Sequence, residues 1–358
     1  EAASTAAASS AAASSAAPTA TFDPKTEKGA VQVFDWAGYE IDEFWGEYKK
    51  GPYGKTNPLK FSFLQNDQQA LAKVAGGYKT DVVHPCIAYT QDWVNAGLVQ
   101  PWDTTYLADA LAGINPKMLE AGMVDGKLYA IPWDWGFSAP VYRADRVQPK
   151  EMSWNIFLDD RYKGRMSLYN DGVSVIKIGG LINGVADPNK MTQDDIDAAK
   201  ATMLKSKPLL RNFWGSETDT INDFVAGNID VTYGWPGTWY QIKNKLKGVD
   251  VQYMQPKEGR LAWICSYVLT ADTPRPGVAH EMMKVGLGPT AMSNLINLYG
   301  YGASNGSQAV LDLVKDKTLI KAFGLDDPNS MDAPAAWLEH FLPNRKDYVK
   351  AFDEIQAS

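Results

Sequence analysis

The chain is 358 residues long, 45% apolar and 22% charged, with a net charge of −7. That length calls for two domains or lobes, and the composition excludes a disordered, collagen-like or coiled-coil chain. No long basic block offsets the negative balance, so nucleic acid is not an expected partner, and no apolar run reaches the roughly 18 residues of a membrane span.

Residues Glu1 to Ala20 hold eleven Ala and five Ser and no apolar side chain larger than Ala. Such a stretch buries too little surface to offset its ordering entropy. It reads as a tether or the remnant of a processed leader, of the kind that separates an export signal or lipid anchor from an exported domain. The body then alternates short apolar runs with helical segments. Residues 31–36 alternate as a strand, and 41–50 place Phe44, Trp45 and Tyr48 at helical spacing. Residues 60–64 are a second strand, 67–75 a helix ended by Gly76 and Gly77, and 80–84 a third strand stopped by Pro85. Asp125 and Gly126 sit between two short apolar runs as a hairpin turn. Thr192 and Asp195 form a capping box for a helix through Leu204, Ser216 opens another that Gly227 closes, and 230–235 follow as a strand. Strands alternating with helices give an α/β protein with largely parallel sheets.

Catalytic motifs are weak. Gly302, Ser304 and Gly306 match GxSxG, and His340 follows in the chain order of a Ser–Asp–His hydrolase, but a helical segment and not a strand precedes Gly302. His280 and Glu281 begin like a zinc-protease motif, yet Lys284 replaces the second His. His84, beside Pro85, reads as a structural histidine. Two cysteines are too few for a disulfide scaffold and lack metal spacing. No phosphate-binding loop or dinucleotide fingerprint appears, so neither metal nor cofactor is expected, and the chain is not expected to be an enzyme. A hydrolase using Ser304 and His340 stands as the alternative of another class.

The aromatic pattern is more informative. The chain has 12 Trp, about two to three times the usual frequency. Several rings fall at the ends of strands: Trp36 and Tyr39 after the first, Trp133 and Trp135 closing the segment from Tyr129, Trp235 and Trp239 after residues 230–234, and Trp263 at the start of the run 261–269. In open α/β sheets ligands bind at the carboxyl ends of strands, and aromatic faces attract cations.

The segments Phe34 to Tyr39, Asp81 to Cys86, Asp125 to Gly136 and Gly234 to Gly237 occur in the order seen in a known family. From about Val31 to Tyr348 the chain resembles the periplasmic spermidine/putrescine-binding proteins of ABC importers. The resemblance implies a two-lobe periplasmic-binding-protein fold, type II-like, each lobe a mixed, mostly parallel sheet flanked by helices. Residues 1–28 would be the tether, 29–137 with 266–307 the N-terminal lobe, and 138–265 with 308–358 the C-terminal lobe. It further implies a monomer, exported to the periplasm with or without a lipid tether, that closes by a hinge on a small amine and delivers it to a membrane permease. Carried over, Trp36, Tyr39, Trp235 and Tyr301 are cage members, Cys86 falls at a ligand-contacting Ser, Trp135 near the crossover, and Asp171 at a carboxylate that receives an amine. Trp263 joins the cage as a strand-end ring.

Departures from the family shape the expected ligand. Thr238, Cys265 and Ser174 stand where the family has acidic residues. Rings kept and acids lost favour a ligand with one cationic group, a zwitterion or a quaternary ammonium, over a polyamine. Arg211 is then the candidate partner for a ligand carboxylate. Glu217 has two readings, a charge favouring the helix start or a replacement for a lost acid that would restore polyamine binding. Cys86 and Cys265 fall on opposite sides of the cleft, where a disulfide would lock the lobes, so two small buried thiols are expected.

Overall fold

The computed structural model describes residues 22–358 apart from 328, 333 and 334. The Ala/Ser-rich stretch 1–20 lies outside the described residues. The first half of the chain contributes the strands β1 (Val31–Asp35), β2 (Leu59–Phe63), β3 (Val82–Val83), β4 (Val99–Gln100), β5 (Met123–Val124), β6 (Lys127–Leu128) and β7 (Ala130–Arg143). The second half adds β8 (Met166–Tyr169), β9 (Leu210–Trp214), β10 (Val231–Gly234), β11 (Val251–Tyr253), β12 (Arg260–Thr270), β13 (Gly302–Ala303) and β14 (Ala336–Leu338). They hydrogen-bond in the order β2-β1-β3-β12-β7-β10-β8-β9, with β5 and β6 as a separate hairpin.

The order contains one pattern twice. In the N-terminal lobe β1 runs parallel to β2 and β3, and β3 meets β12 antiparallel. In the C-terminal lobe β8 runs parallel to β9 and β10, and β10 meets β7 antiparallel. The long strands β7 and β12 pair with each other and cross between the lobes. This is the two-lobe α/β architecture expected. Sequence composition explains the crossing. All 14 residues of β7 are buried, as an apolar strand covered on both faces requires. Its Pro132 lacks a ladder donor, and the register shifts there: Asp134 opposes Cys265 and Pro132 opposes Ser266, leaving Trp133 as an inserted residue. Gly136 is needed for close approach, since a Cβ there would lie 2.7 Å from the Trp263 indole and 3.0 Å from Pro236.

Helix starts follow the expected caps. Thr192 and Asp195 make the reciprocal capping box of the helix Gln193–Ser206, and the Ser216 side chain accepts from Asp219 N. Asp125 has φ 48° and Gly126 φ 74° in the β5–β6 turn, the left-handed pair that such a hairpin needs. Trp154, Phe157, Leu168 and Tyr348 centre the C-terminal lobe's core, and Phe34, Val83, Trp93 and Val268 one face of the N-terminal sheet.

Two expected boundaries differ. Residues 22–28 pack on the N-terminal lobe: the Glu27 carboxylate accepts from Gly277 and Val278 N, and the Phe22 ring lies 4.6 Å from His280. The break at 307/308 is not a change of lobe either. The helix Gln308–Leu313 packs on the helix Pro289–Tyr299, where Asn297 donates to Leu313 O, and only farther on does Phe323 meet Trp239 of the C-terminal lobe. The helix Arg345–Ala357 packs on Gly172–Ile182 and Gln193–Ser206 in the C-terminal lobe.

Among the described residues no helix is long and apolar enough to cross a membrane, and no group of three or more His, Cys, Asp or Glu is placed to hold a metal.

Candidate functional site

Parallel strands bring their carboxyl ends to one edge of each lobe. In the N-terminal lobe β1 is followed by Trp36, β2 by Asp67 at the start of the helix Asp67–Ala75, and β3 by Cys86. In the C-terminal lobe β8 is followed by Asp171, β9 by Glu217 and β10 by Trp235. These two edges lie within electrostatic reach of each other. The Tyr89 phenol of the N-terminal lobe feels Asp67 and, from the other lobe, Asp171, while Tyr169 beside Asp171 feels Asp67.

Rings from both lobes meet at the crossing strands. The Trp263 ring lies edge-on to Tyr301 with centroids 5.3 Å apart. Trp263 and Pro236 both close on Gly136, and Tyr301 abuts Gly237, where a Cβ would sit 2.9 Å from the tyrosine ring. Trp235, one residue earlier in the same turn, stands edge-on to Tyr169 at 5.1 Å and to Trp214 at 5.2 Å. Trp36, Trp235, Trp263 and Tyr301 are half-buried, unlike the closed core rings Trp45, Trp93, Trp133 and Trp154. The indole N–H groups of the half-buried Trp36 and Trp263, like those of the core rings Trp93 and Trp214, are buried without a hydrogen-bond partner among the described residues.

The acids of the site include Asp171 and Glu217, both singled out in the sequence, and Asp67 and Glu339, which were not. Glu217, first residue of the helix Glu217–Val225, accepts from Thr238 Oγ1 at 2.6 Å, and the Tyr301 hydroxyl donates to its other oxygen at 3.4 Å. Burial pushes its carboxyl up, against the lowering pull of those two hydrogen bonds, and among the described residues no ion pair forms to it. Burial, then Glu217 and Asp134, pushes the Tyr301 phenol up, so it stays a donor. Asp171 caps the helix Gly172–Ile182, accepting from Ser174 N at 2.6 Å. Near it, Glu339 is held by Ile264 N and keeps a buried oxygen with no partner among the described residues. Burial raises its carboxyl despite Lys177, whose own ammonium burial lowers. Asp67 accepts from Cys86 N at 2.7 Å and is pushed up to about 7 by burial. Glu339 also lines a cavity of about 450 Å³ with Thr90, Glu120 and His340.

The structure brings together Trp235, Trp263, Tyr301 and, by electrostatic contact across the lobes, Asp171; Trp36 stands at the facing edge. The four other candidates do not join this ring cluster. Trp135 is mid-strand, 2% exposed, and its indole donates to Ala303 O, because β7 continues seven residues past the expected stop at Gly136 and β13 covers the ring. Tyr39 is 8% exposed among Phe44, Trp133 and Tyr299, with its hydroxyl on Asp134 Oδ2 at 2.8 Å, so it supports the site from below. Arg211 is on the outermost strand β9, its side chain 45% exposed and 3.6 Å from Asp223. Cys86 is bonded to Cys265. The two are not across the cleft: β3 and β12 are neighbours in one lobe, which sets the residues opposite each other, so the bond leaves the lobes free.

His84, read as structural, is fully buried between two acids. Its Nδ1 lies 2.7 Å from Asp35 and its Nε2 3.1 Å from Asp134, and Tyr267 donates to Asp35. Burial alone would lower its pKa; the two carboxylates lift it to about 9. Ser304 is buried with its hydroxyl toward the Met292 sulfur, and His340 has Asp187, Lys177 and Lys190 as charge neighbours, so the hydrolase constellation does not form.

Comparison with known proteins accords with this layout. The model of a family described as bacterial extracellular solute-binding protein matches residues 53–322. The chain is 27% identical over 312 residues to a putrescine/agmatine-binding protein of Pseudomonas aeruginosa, covering 80% of this chain and 81% of that one. It is 25% identical over 299 residues to the putrescine-binding periplasmic protein PotF of Escherichia coli, covering 78% and 79%. The spermidine/putrescine ABC transporter substrate-binding protein PotD of Streptococcus pneumoniae superposes with a TM-score of 0.76 at 17% identity, over 92% of this chain and 99% of that one. MotA of A. tumefaciens, solved with glucopine, does so with a TM-score of 0.72 at 17% identity, over 91% and 99%. These likenesses establish the fold; the side chains in the cleft decide the guest.

Proposed function

As the chain belongs to the bacterial extracellular solute-binding protein family, we propose that it is the extracytoplasmic binding component of an ABC importer and that it hands a small amine with two cationic groups to the membrane permease. No bond is made or broken; binding energy comes from ring contacts, charge pairing and exclusion of water as the lobes close. The observation that carries this reading is Glu217, a carboxylate raised by burial, hydrogen-bonded to Thr238 and Tyr301, and without an ion pair among the described residues. An ammonium there supplies the missing counter-charge, and the Asp171 flank, with Glu339 and Asp67 nearby, receives a second. Between them the Trp235, Trp263 and Tyr301 faces suit a short alkyl chain.

The preference for one cationic group rested on the acids absent at Thr238, Cys265 and Ser174. Glu217 reaches Thr238 from the helix start that follows β9 and restores a negative group there, while Arg211 lies outside the site, so the polyamine alternative fits the geometry better. The relatives named for putrescine and agmatine point the same way. Isothermal titration against putrescine, agmatine, spermidine, glycine betaine and amino acids tests the reading. Binding of a diamine at micromolar or tighter affinity is expected; saturable binding of a betaine or amino acid with no response to any diamine would overturn it.

A further inference from the structure

We propose that Arg345 is a positioning residue that clasps the two lobes together and sets how much of the ligand-free chain is closed. The inference rests on the binding role proposed above but concerns the equilibrium between lobes and not the guest. Arg345 opens the helix Arg345–Ala357, which is fixed in the C-terminal lobe by the Tyr348 hydroxyl on Pro188 O and by Phe352 against Phe213. Its side chain leaves that lobe. Nη1 donates to Asp92 Oδ2 at 2.7 Å and Nη2 to Ala88 O at 2.7 Å, and the guanidinium lies 3.8 Å over the Tyr89 ring. All three partners belong to 87–95 of the N-terminal lobe, the short helical segment that follows Cys86.

Several features set this contact apart from an ordinary surface pair. Only 13% of the Arg345 side chain and 26% of that of Asp92 are exposed, so solvent screens them weakly. The planar fork satisfies a carboxylate and a carbonyl at once and stacks on an aromatic face, three roles that a lysine cannot fill together. Tyr89, the ring beneath it, is the phenol that feels Asp67, Asp171 and Glu339, so the clasp also holds one wall of the cleft. The lobes also meet through Trp239 and Phe323 and through Gly237 and Tyr301, beside the crossing strands. The Arg345 contacts run from a helix of one lobe to a segment of the other, so they break when the lobes part.

A contact made only in the closed form raises the closed population and tightens binding of every guest by one common factor, since apparent affinity scales with the competent fraction. The test combines small-angle X-ray scattering of the ligand-free chain with titration of putrescine and agmatine, for wild type, Arg345→Ala, Arg345→Lys, Asp92→Asn and the double variant Arg345→Ala/Asp92→Asn. Ligand-free Arg345→Ala is expected to show a larger radius of gyration than wild type. Its Kd for both amines should rise by the same factor, about three- to tenfold as for a partly buried charged pair, mainly through faster dissociation. Asp92→Asn should weaken binding in the same direction, the double variant should add little to Arg345→Ala, and Arg345→Lys should recover part of the loss. Equal ligand-free radii for wild type and Arg345→Ala overturn the proposal, as does a loss confined to one amine, which would make Arg345 a ligand contact. Should no amine bind wild type, the ligand reading fails, while the ligand-free radii still decide the clasp.

Discussion

Glu217 and Thr238 show how a single side chain can change the reading of a site. Thr238 stands three residues after Trp235, where an acid would be ideal for an amine, and the hydroxyl there holds the carboxylate of Glu217 from the helix start after β9. Replacing Glu217 by Gln keeps the shape and removes the charge, so diamine affinity should fall about 10- to 100-fold, or about 1.4–2.8 kcal/mol, by isothermal titration. Thr238→Val, which deletes only the donor, should cost about 1 kcal/mol. Because burial raises Glu217 and Asp67, the latter to about 7, both take up protons as pH falls while an alkylammonium stays charged. Diamine affinity should therefore strengthen between pH 5.5 and 8 and flatten above; a steady weakening over that range would contradict the assignment. Trp36 and Trp235 do follow strand ends, whereas Trp263 lies inside β12 and Trp135 inside β7. Asp171 and one of the two readings of Glu217 came from the sequence; that Glu217 meets Thr238 did not, because which helix start faces which turn depends on the order of β8, β9 and β10, and no spacing along the chain encodes it. Glu339 left even less trace, a lone acid after a three-residue strand.

At the scale of elements, the crossing strands β7 and β12 decide most of what could and could not be foreseen. An apolar run interrupted by Pro132 and Gly136 looks like a strand that stops. In the fold the bulge at Trp133 absorbs the proline, and Gly136 makes room for Trp263, so the strand continues to Arg143. That continuation is why Trp135 became core, while the antiparallel pairing of β3 with β12 is why Cys86 and Cys265 became neighbours. Gly136→Ala should push on both Trp263 and Pro236 and lower thermal stability as well as ligand affinity, whereas an affinity loss with an unchanged melting temperature would show that the strand itself does not need the glycine. The bond Cys86–Cys265 joins two neighbouring strands of the N-terminal lobe and closes a loop that runs out through most of the C-terminal lobe and back. Replacing both by Ser should cost about 2–4 kcal/mol of stability in denaturant unfolding and leave hinge closure intact. If the double variant instead gained freedom to close, measured as tighter binding, the bond would have to be restraining the lobes after all.

For the whole molecule, the buried Asp35–His84–Asp134 chain links stability to pH. His84 is lifted to about 9 in the fold, so its contribution is full below its ordinary pKa near 6.5 and is lost as pH rises through 9. The ligand-free melting temperature should fall by a few degrees between pH 7 and 9.5, and His84→Gln should flatten that slope even though it lowers stability at neutral pH. The two-lobe plan itself was readable from alternating strands and helices together with the order of four aromatic segments. The packing of residues 22–28 onto the N-terminal lobe was not, since Glu27 finds its helix N-terminus about 250 positions away. The account as a whole stands on two separated negative groups flanking one aromatic cleft. Its most direct measurement is the ratio of putrescine to butylamine affinity, taken by titration for wild type and for Glu217→Gln. Wild type should prefer the diamine by at least about tenfold, and the variant should bind the two amines nearly alike. Equal affinity of wild type for both amines, or an undiminished preference in Glu217→Gln, would contradict it.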